Sequence, residues 1–220
     1  MRKIVKKIIN KLSKINIDLT KNYKLCRNFN KFVHIHPFSF NCKRKNCKLD
    51  ISNFNINIRI FASQKLNSKA IIYFHGGGFV HGSIDTYDRL CSKIAIRTNC
   101  LVISVDYKLA PEYKFPIALE ECYEIVKKLG TDLKINEYKF KKIILMGDSA
   151  GGNLAGAISL MSSERKEFKI DSQILIYPVT YYDHSGSSKF LSVSQNGNDW
   201  LLTNKKMDEY FSLYVSDEKD

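Results

Sequence analysis

The stretch Gly147-Asp148-Ser149-Ala150-Gly151 sets a serine between two glycines in a G-x-S-x-G spacing. A serine hydroxyl is a weak nucleophile until a base takes its proton. Its usefulness also depends on being held at a sharp, exposed turn. The apolar run Lys142–Met146 reads as a strand leading into the motif, and Ala150, Gly151, Gly152, Ala155, Gly156 and Ala157 read as a small-residue helix leading out. Strand, serine and helix in that order form the context of a nucleophile elbow, with the hydroxyl raised above a sheet at a helix N-terminus. A helix start without chemistry is the plainer alternative, and the flanking elements favour the elbow. Asp148 reads as a hydrogen-bonding brace for the turn.

A second stretch, His75-Gly76-Gly77-Gly78-Phe79, follows the apolar run Ala70–Phe74. Three consecutive glycines cost backbone entropy. They also let N–H groups face a ligand with no side chain in the way, which stabilising a tetrahedral oxyanion requires. Gly76 and Gly77, joined by the N–H of Ala150, are the expected donors. A phosphate cradle fits less well, because no G-K-[ST] or G-x-G-x-x-G follows. This chemistry uses side chains and backbone alone, so neither a metal nor a cofactor is expected. His34-x-His36 and Cys42-x4-Cys47 also lack the tight C-x2-C pairs of structural zinc.

The elements that must position these groups follow from periodicity. Ala70–Phe74, Cys100–Val105, Lys142–Met146 and Gln173–Tyr177 are short and nearly continuous in apolar residues, as strands buried on both faces of a parallel sheet are. Helical patterns lie between them at about Thr86–Thr98, Pro116–Leu129 and Ala150–Ser162. The alternation predicts an α/β fold, a mostly parallel sheet with helices on both faces. Functional loops gather at the carboxyl ends of such strands. Ile51–Phe61 alternates like a half-buried strand, residues before it read as a polar irregular patch, and Ile4, Ile8, Leu12 and Ile15 among lysines suggest a basic amphipathic helix over 3–16. That helix could touch an anionic membrane, although packing on its own domain is the favoured reading.

The chain has 220 residues and a formal charge of +13, but residues 1–48 carry 14 Lys and Arg against one acid, and the remainder is balanced. The basicity therefore belongs to the N-terminal segment. No basic and aromatic recognition module argues for nucleic acid. Six cysteines at irregular spacing, with no cleavable apolar leader, fit a reducing cytoplasm.

His75-Gly-Gly-Gly-Phe79, Asp106-Tyr-Lys-Leu-Ala-Pro-Glu112 with Phe115-Pro116, and Gly147-Asp-Ser-Ala-Gly-Gly-Asn-Leu-Ala155 together resemble the three landmarks of the hormone-sensitive-lipase-like carboxylesterases of the α/β-hydrolase superfamily. The resemblance runs from about residue 50 onward. It implies a small-molecule ester substrate of short or medium acyl length and Ser149 as the nucleophile. Gly76, Gly77 and Ala150 would form the oxyanion hole, with His75, Gly78 and Asp148 supporting the motifs. It further implies a cap segment at 1–48, a core over 49–220 and a cap insertion at about 179–215.

The resemblance also raises a difficulty. In this superfamily the chain order is Ser, then Asp or Glu, then His, and His184 alone follows Ser149. Asp183 is its immediate neighbour and points away in sequence terms, while Asp171 sits at the far end of a strand. His184 is therefore disfavoured as the base. After Pro178 only 42 residues remain, fewer than two more βα units of about 30 residues each need. The expectation is that the last strands, with the acid and histidine of the triad, lie beyond Asp220. This chain would then hold the nucleophile and oxyanion half and have little activity, with a catalytically inactive binding module as the alternative. Gln173–Tyr177 would be an unprotected edge, open to association into a homo-oligomer.

Overall fold

A computed structural model describes residues 17–34, 42–198 and 202–216. In chain order the elements are α1 (Leu19–His34), β1 (Lys43–Ile51), β2 (Phe54–Ala62), β3 (Lys69–Phe74), α2 (Asp88–Thr98), β4 (Leu101–Asp106) and α3 (Ile117–Asp132). A two-residue pair β5 (Lys134–Ile135) and β6 (Tyr138–Lys139) precedes β7 (Lys142–Asp148), α4 (Ala150–Arg165), β8 (Ser172–Ile176), α5 (Leu191–Asn196) and α6 (Asn204–Tyr214). Six strands form one sheet in the order β1-β2-β4-β3-β7-β8. Strands β4, β3, β7 and β8 run parallel, while β2 is antiparallel to β4 and carries β1 as a hairpin.

The period of two within β3 shows why its sequence is apolar throughout. Ala70, Ile72 and Phe74 join Ile103, Val105, Ile143 and Leu145 in the larger core, under α3 and α4. Ile71 and Tyr73 face the other way, into a smaller core with Phe61, Val102 and with Cys91 and Ala95 of α2. Helices on both faces thus follow from a strand with no polar side. The parallel register then aligns the strand ends: Phe74 sits opposite Val105 on one side and Gly147 on the other. The loops starting at His75 and at Ser149, distant in sequence, leave the sheet from the same edge.

Besides the short β5–β6 pair, which the sequence did not announce, two larger elements differ from the sequence expectation. The single strand over 51–61 is a hairpin, with β1 and β2 in continuous register from Lys43 opposite Ala62 to Ile51 opposite Phe54. Ser52 turns the chain at φ 52°. The first strand was hidden because it is an edge, paired on one side among the described residues and mostly exposed, so its residues Lys43, Arg44, Lys45, Asn46 and Lys48 carry no apolar alternation. Charged, lysine-rich edges of this kind discourage pairing with another chain. A boundary at residue 48 consequently falls inside a strand, and 43–48 belong to the sheet. Helix α1, read as irregular from the sequence, is the second difference. Its inner positions mix Leu19, Tyr23, Cys26 and Arg27, which blurs the apolar stripe that periodicity looks for. The amphipathic stretch 3–16 and His36 lie outside the described residues.

At the opposite edge β8 pairs, among the described residues, with β7 alone, and Ile174 and Leu175 remain 41% and 38% exposed. The stretch 179–215, expected to be a cap insertion, contains α5 and α6.

The central strand sets stability. Ile72 is fully buried between neighbours on both sides. Ile72→Ala is expected to lower unfolding stability by about 2–5 kcal/mol, read as a shift of the urea midpoint with an unchanged slope.

Candidate active site

Ser149 has φ 52° and ψ −120°, a conformation outside the regions that L-residues ordinarily occupy. Such a residue costs about 1–3 kcal/mol and persists only where its surroundings over-determine it. Its N–H donates to Ile176 O at 2.9 Å, and its carbonyl accepts from Asn153 N at 3.0 Å in the first turn of α4. The flanking glycines are required by space. A methyl group on Gly147 would strike the Gly151 carbonyl, and one on Gly151 would strike the carbonyls of Phe74 and His75. Strand, turn and helix therefore pack backbone to backbone, leaving the Ser149 side chain facing a cleft. The N–H of Ala150 opens α4, where first-turn amides have no intrahelical acceptor.

The glycine loop approaches from β3. Gly77 (φ 124°) and Gly78 (φ 60°) both lie in the left-handed half of backbone space, so glycine is needed at each for conformation as well as for room. They share with Ser149 a cavity of about 130 Å³, closed by Phe79, Met207, Tyr210 and Phe211. A wider, more open cleft of about 690 Å³ continues from Ser149 past Tyr181, His184, Phe190 and Val193.

Gly76 is placed differently from expectation. Its N–H donates to Tyr87 Oη at 3.1 Å and to Asp148 Oδ1 at 3.2 Å. A proton already shared between a phenol and a carboxylate has nothing left for an oxyanion, so Gly76 is withdrawn as a donor. Its role is to fasten the loop. Gly78, expected only to support the motif, lies on the cavity beside Gly77.

Asp148 is the anchor of that fastening. Tyr73 Oη donates to Oδ1 and Tyr87 Oη to Oδ2, each at 2.8 Å. Burial, reinforced by the Asp148 charge, pushes both phenols well above the usual tyrosine range, so they remain donors. His75 is fully buried and stacked on Tyr107, with ring centroids 4.2 Å apart. Its Nδ1 lies 2.9 Å from Gly76 O, and since a carbonyl can only accept, Nδ1 carries the proton. Burial holds this ring neutral by lowering its pKa. Tyr107 Oη donates to His75 O at 2.6 Å, so the Asp106–Glu112 loop braces the floor of the site.

Sequence reasoning missed Tyr73, Tyr87, Arg27 and Tyr210. Tyr73 carried a faint signal, a hydroxyl within an otherwise apolar strand, and the other three carried none. Arg27 donates from α1 to Val80 O at 2.9 Å and to Ala110 O at 2.8 Å, and pairs with Glu112 at 3.0 Å. His184 lines the open cleft, but its Nε2 is bound to Tyr181 O at 2.9 Å and its ring stacks near Phe211. Among the described residues no imidazole is hydrogen-bonded to Ser149.

A parallel sheet with a serine on a strained strand-to-helix turn, faced by a glycine loop from the neighbouring strand, defines a class. The chain belongs to the alpha/beta hydrolase fold family, whose model matches residues 71–220. It is 34% identical over 180 residues to an arylesterase of Saccharolobus solfataricus, covering 80% of this chain and 56% of that one. It is 30% identical over 177 residues to an acetyl esterase of Salmonella agona, covering 80% and 54%. A solved structure, a hyperthermophilic esterase from the archaeon Pyrobaculum calidifontis, superimposes with a TM-score of 0.87 at 28% identity, covering 100% of this chain and 72% of that one. The chain spans about half the length of the curated relatives it matches.

His81 gives the loop after the glycines a pH dependence. It is buried with Nδ1 unpartnered, and burial, helped by the Arg27 charge, lowers its pKa from 6.5 to about 4. Between those values the unfolded chain binds a proton that the folded chain does not. The destabilisation due to His81 is therefore absent above about pH 6.5 and grows to as much as about 3 kcal/mol as pH drops through about 4. Urea unfolding from pH 7 to 4 should show this loss. His81→Gln is expected to reduce the slope by up to one proton, while His75 keeps a slope of the same sign. An unchanged slope in the variant would place the proton elsewhere.

Proposed function

We propose that the chain carries out its part in carboxylic ester hydrolysis through a Ser149 acyl-enzyme, on uncharged esters of short or medium acyl length. The observation that carries this reading is the pairing of a strained, cleft-facing Ser149 with Gly77 and Gly78 across one small cavity. Ser149 Oγ attacks the acyl carbon while its proton passes to a base, and the carbonyl oxygen becomes an oxyanion. The N–H groups of Gly77, Gly78 and Ala150 receive that charge in a site whose donors are fixed before the reaction, so little reorganisation is needed. Collapse of the tetrahedral species expels the alcohol, and water then releases the acid from the serine ester. Similarity to an arylesterase and an acetyl esterase supports an ester as the substrate. The apolar closure by Phe79, Met207 and Phe211 supports an uncharged acyl group.

In this reading the chain supplies the nucleophile and oxyanion half of the site. The support is that no imidazole is bonded to Ser149 among the described residues, and that His184 Nε2 is engaged with a backbone carbonyl. Loss of a triad's base costs on the order of 10⁶ in turnover in serine proteases, with roughly 10³–10⁴ over water retained from binding and the oxyanion hole. The same observation favours a second reading, a pocket that binds esters without turning them over.

An alkyl fluorophosphonate and p-nitrophenyl acetate separate these readings. Slow labelling, confined to Ser149 and absent in Ser149→Ala, with weak ester turnover is the expected result. Rapid labelling and turnover, both lost in Ser149→Ala, would keep the ester chemistry and overturn the half-site reading. Binding of the ester with no labelling would favour the binding module. Labelling that survives Ser149→Ala would sink the site itself.

A further inference from the structure

Helix α1 has two unlike faces. Its inner face is committed to the fold. Leu19 is buried and its N–H donates to Glu209 Oε2 of α6 at 3.1 Å, while Arg27 is bound to Val80 O, Ala110 O and Glu112. Its outer face carries Leu25, Phe29 and Phe32, which are 65%, 67% and 80% exposed. These positions are spaced i, i+4, i+7, so they form one stripe on the side away from the core. Single exposed apolar residues are ordinary, but two phenylalanines and a leucine aligned on one helix face ask for a partner.

Charge selects that partner. Lys24 and Lys31, both exposed, flank the stripe on one side. Residues 1–34 as a whole carry ten Lys and Arg against the single acid Asp18. A second copy of the chain, or the lysine-rich stretch 3–16 folding back, would bring like charges together on this face. An anionic surface would not. Apolar and aromatic side chains on a helix edged by lysines match the composition of helices that lie in a membrane interface, where no complementary groove is required. No helix among the described residues is long and apolar enough to cross a bilayer, and this geometry requires only surface contact.

We propose that the outer face of α1 docks on an anionic lipid bilayer. Leu25, Phe29 and Phe32 enter the boundary between headgroups and acyl chains, and Lys24 and Lys31 meet the lipid phosphates. The docked helix is the one whose Arg27 supports the loop after the glycines, so the contact would hold the cleft close to the membrane surface.

Co-sedimentation of the full chain with phosphatidylcholine vesicles, with and without about 30 mol% phosphatidylglycerol, tests this. Binding to the anionic vesicles is expected, weakened by salt and much weaker on the neutral ones. The combined variant L25S/F29S/F32S should lose about tenfold or more in affinity, and K24Q and K31Q about fivefold each. These side chains are exposed, so circular dichroism should report an unchanged fold. Vesicle binding equal in the parent and the triple variant would overturn the proposal, as would equal binding to neutral vesicles or no binding at all. Conversion of a parent dimer to a monomer by the triple substitution, or capture by polyglutamate in preference to vesicles, would assign the face to a protein contact instead. Ser149→Ala should bind vesicles like the parent, so the outcome is independent of the ester chemistry.

Discussion

The Asp148 carboxylate is the constraint on which the site depends. It is buried at the end of β7, where an ion without donors would be costly. It receives Tyr73 from the neighbouring strand, Tyr87 from the segment entering α2, and the backbone N–H of Gly76. Tyr73 lies in β3, Gly76 just after that strand and Tyr87 just before α2, so the loop that follows β3 is gathered onto the end of β7. Tyr87 closes the arrangement by accepting from Gly76 while donating to Asp148. Because Asp148 immediately precedes Ser149, the serine turn and the glycine loop are referenced to one charged group.

Around that anchor the backbone is packed too closely for side chains. Gly147 and Gly151 let β7, β3 and α4 meet at carbonyl contact, and Gly77 and Gly78 let the loop turn toward the cavity. The strain at Ser149 is tolerated because the ladder bond to Ile176 and the start of α4 hold both sides of it. The serine turn and the glycine loop are thereby held facing one cavity. The sheet brings the two together through register, since both loops leave strands that are adjacent and parallel.

The roof is assembled from two ends of the chain. Helix α1 is tied to the loop after the glycines by Arg27 and to α6 through Glu209. Helix α6 in turn brings Tyr210 against Gly78, and Tyr214 stacks on Phe79 with centroids 3.8 Å apart. Cavity size thus depends on aromatic contacts between segments that share no sequence pattern.

Most of the fold was legible because both-face burial leaves an unmistakable apolar run, and because G-x-S-x-G and three glycines have few structural excuses. Strand and helix alternation, the serine turn and the glycine loop were determined by local residue chemistry alone. Strand β1 was not, because an edge strand needs backbone partners and makes no demand on side-chain polarity. Nor was the role of Gly76. Three adjacent glycines look equivalent in sequence, and which of them lines the cavity and which binds Asp148 depends on φ values and on a tyrosine arriving from another element. The partners of Asp148, the position of Arg27 and the exposed stripe of α1 were likewise decided only by tertiary structure. Sequence specifies what a residue can donate, accept or bury, whereas long-range packing specifies which of those capacities meet.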